Sequence, residues 1–186
     1  MARFDFLPTS IGGLRLVQRE RIEDGRGFLA RFYCAEEFKA AGVMAPIVQI
    51  NHTLTRRKGT IRGMHFQLPP HVETKLVSCL HGEVFDVAVD LRLGSPSFLA
   101  WHGAVLSAAN QRSLLIPGGF AHGFQALTDD CELIYLHTAA YSPAAEAAVN
   151  ATDRRLAINW PLEVTEMSDR DRSHPMLTPD FEGIDP

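Results

Sequence analysis

"EVFDVAVDL", residues 83–91, alternates Phe85, Val87, Val89 and Leu91 against Val84, Asp86, Ala88 and Asp90. A period of two sends successive side chains to opposite faces of an extended chain, so the stretch reads as a β-strand with one dry face. Short runs of the same kind lie on both sides of it: IVQINHTL (47–54), TIRGMHFQ (60–67), KLVSCLH (75–81), WHGAVLS (101–107), SLLI (113–116), HGFQAL (122–127) and CELIYLHT (131–138). His81-Gly82, Gly94-Ser95-Pro96, Ala109-Asn110 and Pro117-Gly118-Gly119 supply turn chemistry between several of them. Many short strands at this spacing predict an all-β protein: an antiparallel sandwich, jelly roll or barrel.

Helical signals are few. CAEEFKAAG (34–42) has good helix formers ending at Gly42, and SPAAEAAV (142–149) has Ser142 at a cap position with Pro143 in the first turn. From Trp160-Pro161 onward the chain is polar and proline-containing without strong periodicity, which predicts a surface wrap rather than core.

A chain of 186 residues accommodates one domain with a real core, so residues 1–186 are read as a single unit. The 46 % hydrophobic and 22 % charged content is that of a soluble globular protein. A net charge of −4 argues against a nucleic-acid partner, since phosphate binding leaves a basic surplus or a clustered basic face. No stretch reaches the length of a membrane span, and MARFDFLPTS carries no long apolar segment, so no membrane partner and a cytoplasmic location are expected. Cys34, Cys79 and Cys131 are odd in number, widely spaced and without a CxxC pair, which predicts buried thiols rather than disulfides or structural zinc.

Some side chains are less easily assigned to structure alone. In residues 60–67 strand parity puts His65 and Gln67 on one face, and Arg62, Met64 and Phe66 on the other. Lys75 opens an apolar strand; Tyr135 shares a face with Cys131, Leu133 and His137; Asp171 lies in the C-terminal wrap. Each has a plain structural reading: a hydrogen-bonded rim histidine, a snorkelling lysine, a core tyrosine, a solvated acid. Pro117-Gly118-Gly119-Phe120-Ala121-His122 resembles the second motif of the cupin jelly rolls, whose histidine ligates metal. The first cupin motif would supply two more imidazoles as H-x-H; here it reads His65-Phe66-Gln67, and an amide is a poor substitute for imidazole. No metal is expected.

Together the stretches "DGRGFLARF", "VQINHT", "GTIRGMHFQLPP", "ETKLVSCLHGEVFDVAVDLRLGSPSF", "LSAANQRSLLIPGGFAHGFQALTDD" and "ELIYLHTAAYSP" resemble the nucleotide-sugar 3,5-epimerase family typified by dTDP-4-dehydrorhamnose 3,5-epimerase, over about residues 20–172. The resemblance implies a cupin-type antiparallel jelly roll with a few short peripheral helices. It also implies epimerisation at C3 and C5 of a nucleoside-diphospho-4-keto-6-deoxy-sugar without any cofactor. It assigns His65 as base, Asp171 as the carboxylate steadying it, Lys75 as the charge beside the ketone oxygen, and Tyr135 as the acid on the far face. For the nucleotide it points to Arg26, Phe28, Gln49, Asn51, Arg62, His122, Glu146 and Arg170. It further implies a homodimer that shares an N-terminal strand, with Arg26 and Phe28 serving the partner's site.

If both Arg62 and His65 face one pocket, the strand must bulge or twist, and Gly63 is the place for it. Arg31 stands where the family often has glutamate, Phe66 replaces a common tyrosine, and the run 147–154 reads AAVNATDR in place of the family's RGVRWDDP. Those departures bear on substrate choice. The rival readings are a metal-dependent cupin enzyme using His65, His122 and an acid; a non-catalytic sugar-nucleotide-binding module; and a 3,4-ketoisomerase or C3-only epimerase of the same fold.

Overall fold

A computed structural model describes residues 3–186. In chain order its elements are β1 (Phe4–Pro8), β2 (Arg15–Arg19), β3 (Arg21–Asp24), β4 (Gly27–Ala30), α1 (Ala35–Ala40), β5 (Gln49–Thr55), β6 (Ile61–Gln67), β7 (Lys75–His81), β8 (Glu83–Asp90), β9 (Trp101–Ser107), β10 (Arg112–Ile116), β11 (Phe120–Ala126), β12 (Cys131–His137), β13 (Glu146–Ala148) and α2 (Asp169–Ser173). Two sheets face each other as a jelly roll. One runs β1-β2-β10-β7-β12-β5, the other β13-β6-β11-β8-β9, and β3 and β4 form a separate ribbon. Every paired strand is antiparallel to its neighbour. The all-β jelly-roll expectation describes the architecture.

The core between the sheets is apolar and contributed by both: Val77, Cys79, Leu114, Ile116 and Leu133 from one, Val84, Ala88, Leu106, Phe120 and Phe124 from the other. Burial of this kind, at roughly 25 cal/mol per Å² of apolar surface, is the main term holding the layers together. On the outside of the six-stranded sheet, Phe38 of α1 is buried against Phe4, Val17, Leu76, Leu115 and Leu136.

The strand at 83–90 differs from its sequence reading in one respect: both of its faces are dry. Val84, Asp86, Ala88 and Asp90 are as buried as Val87 and Val89. The cause is the C-terminal segment, which was expected to stay out of the core. Met167 and Ile184 are buried, and with Trp160, Leu177 and Phe181 they cover the outer face of the five-stranded sheet over Ile61, Met64, Val87, Val89 and Leu91. Isolated bridges Thr60–Glu166 and Arg92–Ile184 fasten that segment down.

The helix expected over 142–149 does not form. Ser142–Ala145 turns, and Glu146–Ala148 pairs with Gln67–His65 as an edge strand. A helix of two turns gains little by itself, whereas joining the sheet satisfies backbone groups on both strands. The expectation of buried thiols holds for Cys79 and Cys131; Cys34 is only half-buried, at the N-cap of α1, and all three are free.

One irregularity positions the site. Along β6 the step from Arg62 to His65 spans three residues, while their partners on β11, Phe124 and His122, are two apart. The extra residue is a bulge at Gly63, which has φ +125° and packs so close to β11 that a Cβ would lie 2.6 Å from the Gly123 Cα. Because of it, Arg62 and His65 both face the interior, which regular pleating forbids.

Candidate active site

At one end of the sandwich the two inner faces part around a cavity of about 200 Å³ lined by Asn51, Thr53, Arg62, His65, Lys75, His122, Phe124, Tyr135 and His137. His65 also borders a groove toward α2, with Arg62, Ser168, Arg170 and Asp171, and a smaller recess with Gln49, Gln67, Glu73, Tyr141 and Glu146. Every sequence-predicted residue except Arg26 and Phe28 lines one of these connected spaces. Those two sit on the β3–β4 ribbon beside Ile22 and Leu29, with Arg26 paired to Asp24 at 2.6 Å.

His65 Nε2–H donates to Asp171 Oδ1 at 2.8 Å. This fixes the tautomer, leaving the lone pair on Nδ1. Asp171 is nearly fully buried, and α2 holds it in place: Ser168 caps the helix by accepting from the Asp171 N–H at 3.0 Å. Burial opposes its charge, but hydrogen bonds from His65 and the surrounding backbone outweigh burial and keep its carboxyl below the usual carboxylate range. The divergent run at 147–154 contributes here. The Asn150 amide donates to the carbonyls of Arg172 and His174 at 3.1 Å each, tying the end of α2 to the sheet.

Tyr135 lies on the opposite wall. His65 belongs to the five-stranded sheet and Tyr135 to the six-stranded one, with its ring edge-on to His122 at 5.9 Å and stacked on His137 at 6.1 Å. Burial raises its hydroxyl pKa, an effect that the charge of Arg62 only partly offsets, so the phenol stays protonated.

Lys75, buried at the start of β7, extends its ammonium to 3.4 Å from the His65 carbonyl and 3.1 Å from Glu73 Oε1. The other Glu73 oxygen accepts from His137 Nδ1–H at 2.8 Å, and His137 Nε2 accepts from the Asn51 amide at 3.4 Å. Glu73 is buried, which opposes its charge, yet the bond from His137 and the charge of Lys75 hold its pKa below the ordinary value. Across the cavity His122 Nε2–H donates to Asp86 Oδ1 at 2.8 Å. At the rim Glu146 Oε2 accepts from Tyr141 at 2.6 Å and from Arg170 at 2.5 Å, while the Gln49 amide donates to Asn51 at 3.2 Å.

Sequence reasoning missed Glu73, Asp86 and His174. Asp86 could have been found, because it is a charge in the middle of a strand whose neighbours on either side, Val84 to Val89, are apolar. His174 follows Asp171 by three residues, a spacing that puts both on one helix face. Glu73 precedes its strand and gives no periodic signal. One group of described residues brings metal-ligand atoms together, within 4.8 Å of one another: His65, Asp171 and His174. His122, which the metal-dependent reading requires, is not part of it.

The two facing sheets thus bring His65 and Tyr135, together with Lys75, into one cleft. The protein-family model for dTDP-4-dehydrorhamnose 3,5-epimerase matches residues 8–179. A dTDP-4-dehydrorhamnose 3,5-epimerase of Shigella flexneri is 41 % identical over 166 residues, covering 89 % of this chain and 91 % of its own. A dTDP-4-dehydrorhamnose 3-epimerase of Streptomyces niveus is 37 % identical over 171 residues, covering 91 % and 82 %. The crystal structure of a dTDP-6-deoxy-D-glucose-3,5-epimerase from Legionella pneumophila, in complex with dTDP-4-keto-L-rhamnose, superposes with a TM-score of 0.89 at 39 % identity, covering 93 % of this chain and 92 % of that one. The chain belongs to the dTDP-4-dehydrorhamnose 3,5-epimerase family.

Proposed function

We propose that the protein epimerises C3 and C5 of a dTDP-4-keto-6-deoxy-hexose by removing a proton next to the ketone on one face and returning one on the other. The observation that carries this reading is the placement of His65 and Tyr135 on opposing sheets of one cavity, with the Lys75 ammonium reaching into the same space.

The chemistry follows from the tautomer. With Nε2–H committed to Asp171, His65 presents Nδ1 as the base, and Asp171 stabilises the imidazolium that forms. The enolate oxygen builds negative charge, which Lys75 meets as a fixed point charge in a water-poor pocket. Glu73 holds Lys75 and His137 in place. Tyr135 then delivers the proton from the far side, and Arg62 and Lys75 steady the phenolate left behind. Arg62, Gln49, Asn51, His122, Glu146 and Arg170 are read as contacts for the sugar nucleotide, with the arginines serving the diphosphate. The molecule is read as a cytoplasmic homodimer in which the ribbon bearing Arg26 and Phe28 serves the neighbour's site. Support for this comes from the ribbon's exposed apolar side chains, Ile22, Phe28 and Leu29, which border no part of their own chain's cleft. No helix among the described residues is long and apolar enough to cross a membrane.

The test is turnover of dTDP-4-keto-6-deoxyglucose in D2O followed by proton NMR. Deuterium at both C3 and C5 with inverted configuration is expected. Labelling confined to C3 would make this a 3-epimerase, as the Streptomyces relative is named, and a product with the ketone moved to C3 would make it a ketoisomerase.

A further inference from the structure

The geometry points to a second property of the catalytic dyad: His65, Asp171 and His174 form a site for a divalent transition metal, and its occupancy by Zn²⁺ shuts the enzyme off. His174 Nε2 lies 3.3 Å from the same Asp171 Oδ1 that His65 Nε2 contacts at 2.8 Å. The two imidazole rings stand edge to face, 5.5 Å apart between centroids. His174 is not otherwise employed: its Nε2 is buried and finds no hydrogen-bond partner at this angle. Three ligand atoms within 4.8 Å of one another, two imidazole nitrogens and one carboxylate oxygen, are the donor set that zinc accepts with a fourth position left to water.

The surroundings allow it. Asp171 and His174 come from one short helix and its C-cap, so only small side-chain shifts separate the present arrangement from zinc-ligand distances near 2.1 Å. Access is through the groove beside His65, whose side chain is the most open of the three. The cations nearby are countered locally, Arg170 by Glu146 and Arg172 by Asp169.

Inhibition then follows from the imidazole's single lone pair. Asp171 keeps the proton on Nε2 and the lone pair on Nδ1, where the reaction uses it. A metal on Nε2 takes the lone pair there, and the proton moves to Nδ1. The ring that should accept a proton from carbon becomes a donor. The inhibitory consequence rests on His65 being the base; the binding site does not.

The experiment separates the two. Metal-stripped protein without substrate is titrated with Zn²⁺ by calorimetry, and with Co²⁺ by visible absorption. One tight equivalent and the intense d–d bands of a four-coordinate cobalt are expected. His174→Gln should weaken binding at least tenfold, and His174→Cys should restore it with a thiolate-to-cobalt charge-transfer band; melting curves verify that each variant is folded. Turnover with and without Zn²⁺, each variant referenced to its own metal-free rate, should fall at least tenfold in the wild type and far less in His174→Gln. Equal Zn²⁺ affinity in wild type and His174→Gln overturns the site. Tight binding that leaves turnover intact overturns the inhibition, while the base assignment is judged separately, by whether metal-free His65→Ala loses exchange of the C3 proton in D2O. Activation by Zn²⁺ overturns the inhibition and favours a metal-dependent enzyme.

Discussion

His65 and Asp171, 106 positions apart in the chain, meet through Nε2 and Oδ1 at 2.8 Å, and that contact places the imidazole's lone pair on Nδ1. Replacing Asp171 with Asn removes the charge that steadies the imidazolium and lets the ring adopt the other tautomer. Steady-state kinetics on Asp171→Asn should give kcat lower by at least about 10²-fold, the scale of lost acid–base assistance, with KM nearly unchanged. A KM effect of the same size would mean that Asp171 serves binding instead.

Tyr135 is separated from His65 by the cavity, so the two half-reactions can be dissected. Tyr135→Phe should still exchange the C3 proton with D2O, because abstraction and return from the His65 face need no phenol. Inverted product should fall by on the order of 10²-fold or more. Loss of exchange in step with inversion would show that Tyr135 takes part in the first proton transfer.

The low carboxyl pKa values of Glu73 and Asp171 make acid stability a readout of their partners. In each case burial works against the charge and the neighbours win. A depressed folded-state pKa means that the unfolded chain binds protons more readily in the acidic window. The stabilisation is therefore complete above the ordinary carboxylate pKa, roughly 4, and drains away as pH falls through the lower folded values. Melting temperature should be nearly flat from pH 7 to about 5 and then drop. Glu73→Gln should start lower and fall less steeply. An unchanged slope in that variant would remove Glu73 from the account.

Gly63 is the residue on which the pocket's register turns. Alanine there meets both a positive φ and backbone atoms of β11, His122 O at 2.8 Å among them, which cannot step aside as a flexible side chain could. Gly63→Ala should cost about 3 kcal/mol, on the order of 5–10 °C in melting temperature, and should reduce turnover in whatever fraction remains folded. Differential scanning calorimetry measures the first effect and a rate per folded molecule the second.

Much of the sandwich could be read directly, because β5 through β12 carry a two-residue period or a short apolar run bounded by turns. The N-terminal strands could not. In RLVQR, which becomes β2, only Val17 and Arg19 are well buried, and its place inside a sheet depends on β10, almost a hundred residues later. SPAAEAAV reads as a helix on propensity, and the open edge of β6 overrode it. Parity set Arg62 against His65 until the bulge at Gly63 was taken into account. For the cleft, Lys75, Tyr135 and Asp171 were singled out through family likeness, since a carboxylate arriving from a distant tail leaves no periodic trace. Glu73 acts through neighbours fixed by tertiary structure and nothing in its local spacing announces it, whereas His174 is betrayed only by its three-residue spacing from Asp171.

The segment from Trp160 to Ile184 does two jobs at once: it roofs the five-stranded sheet and carries the carboxylate that meets His65. It follows every strand named above in chain order. With His65 as the proposed base, a chain in which residues 160–184 have not docked would leave that ring without its carboxylate, so turnover would report on the docking of this segment.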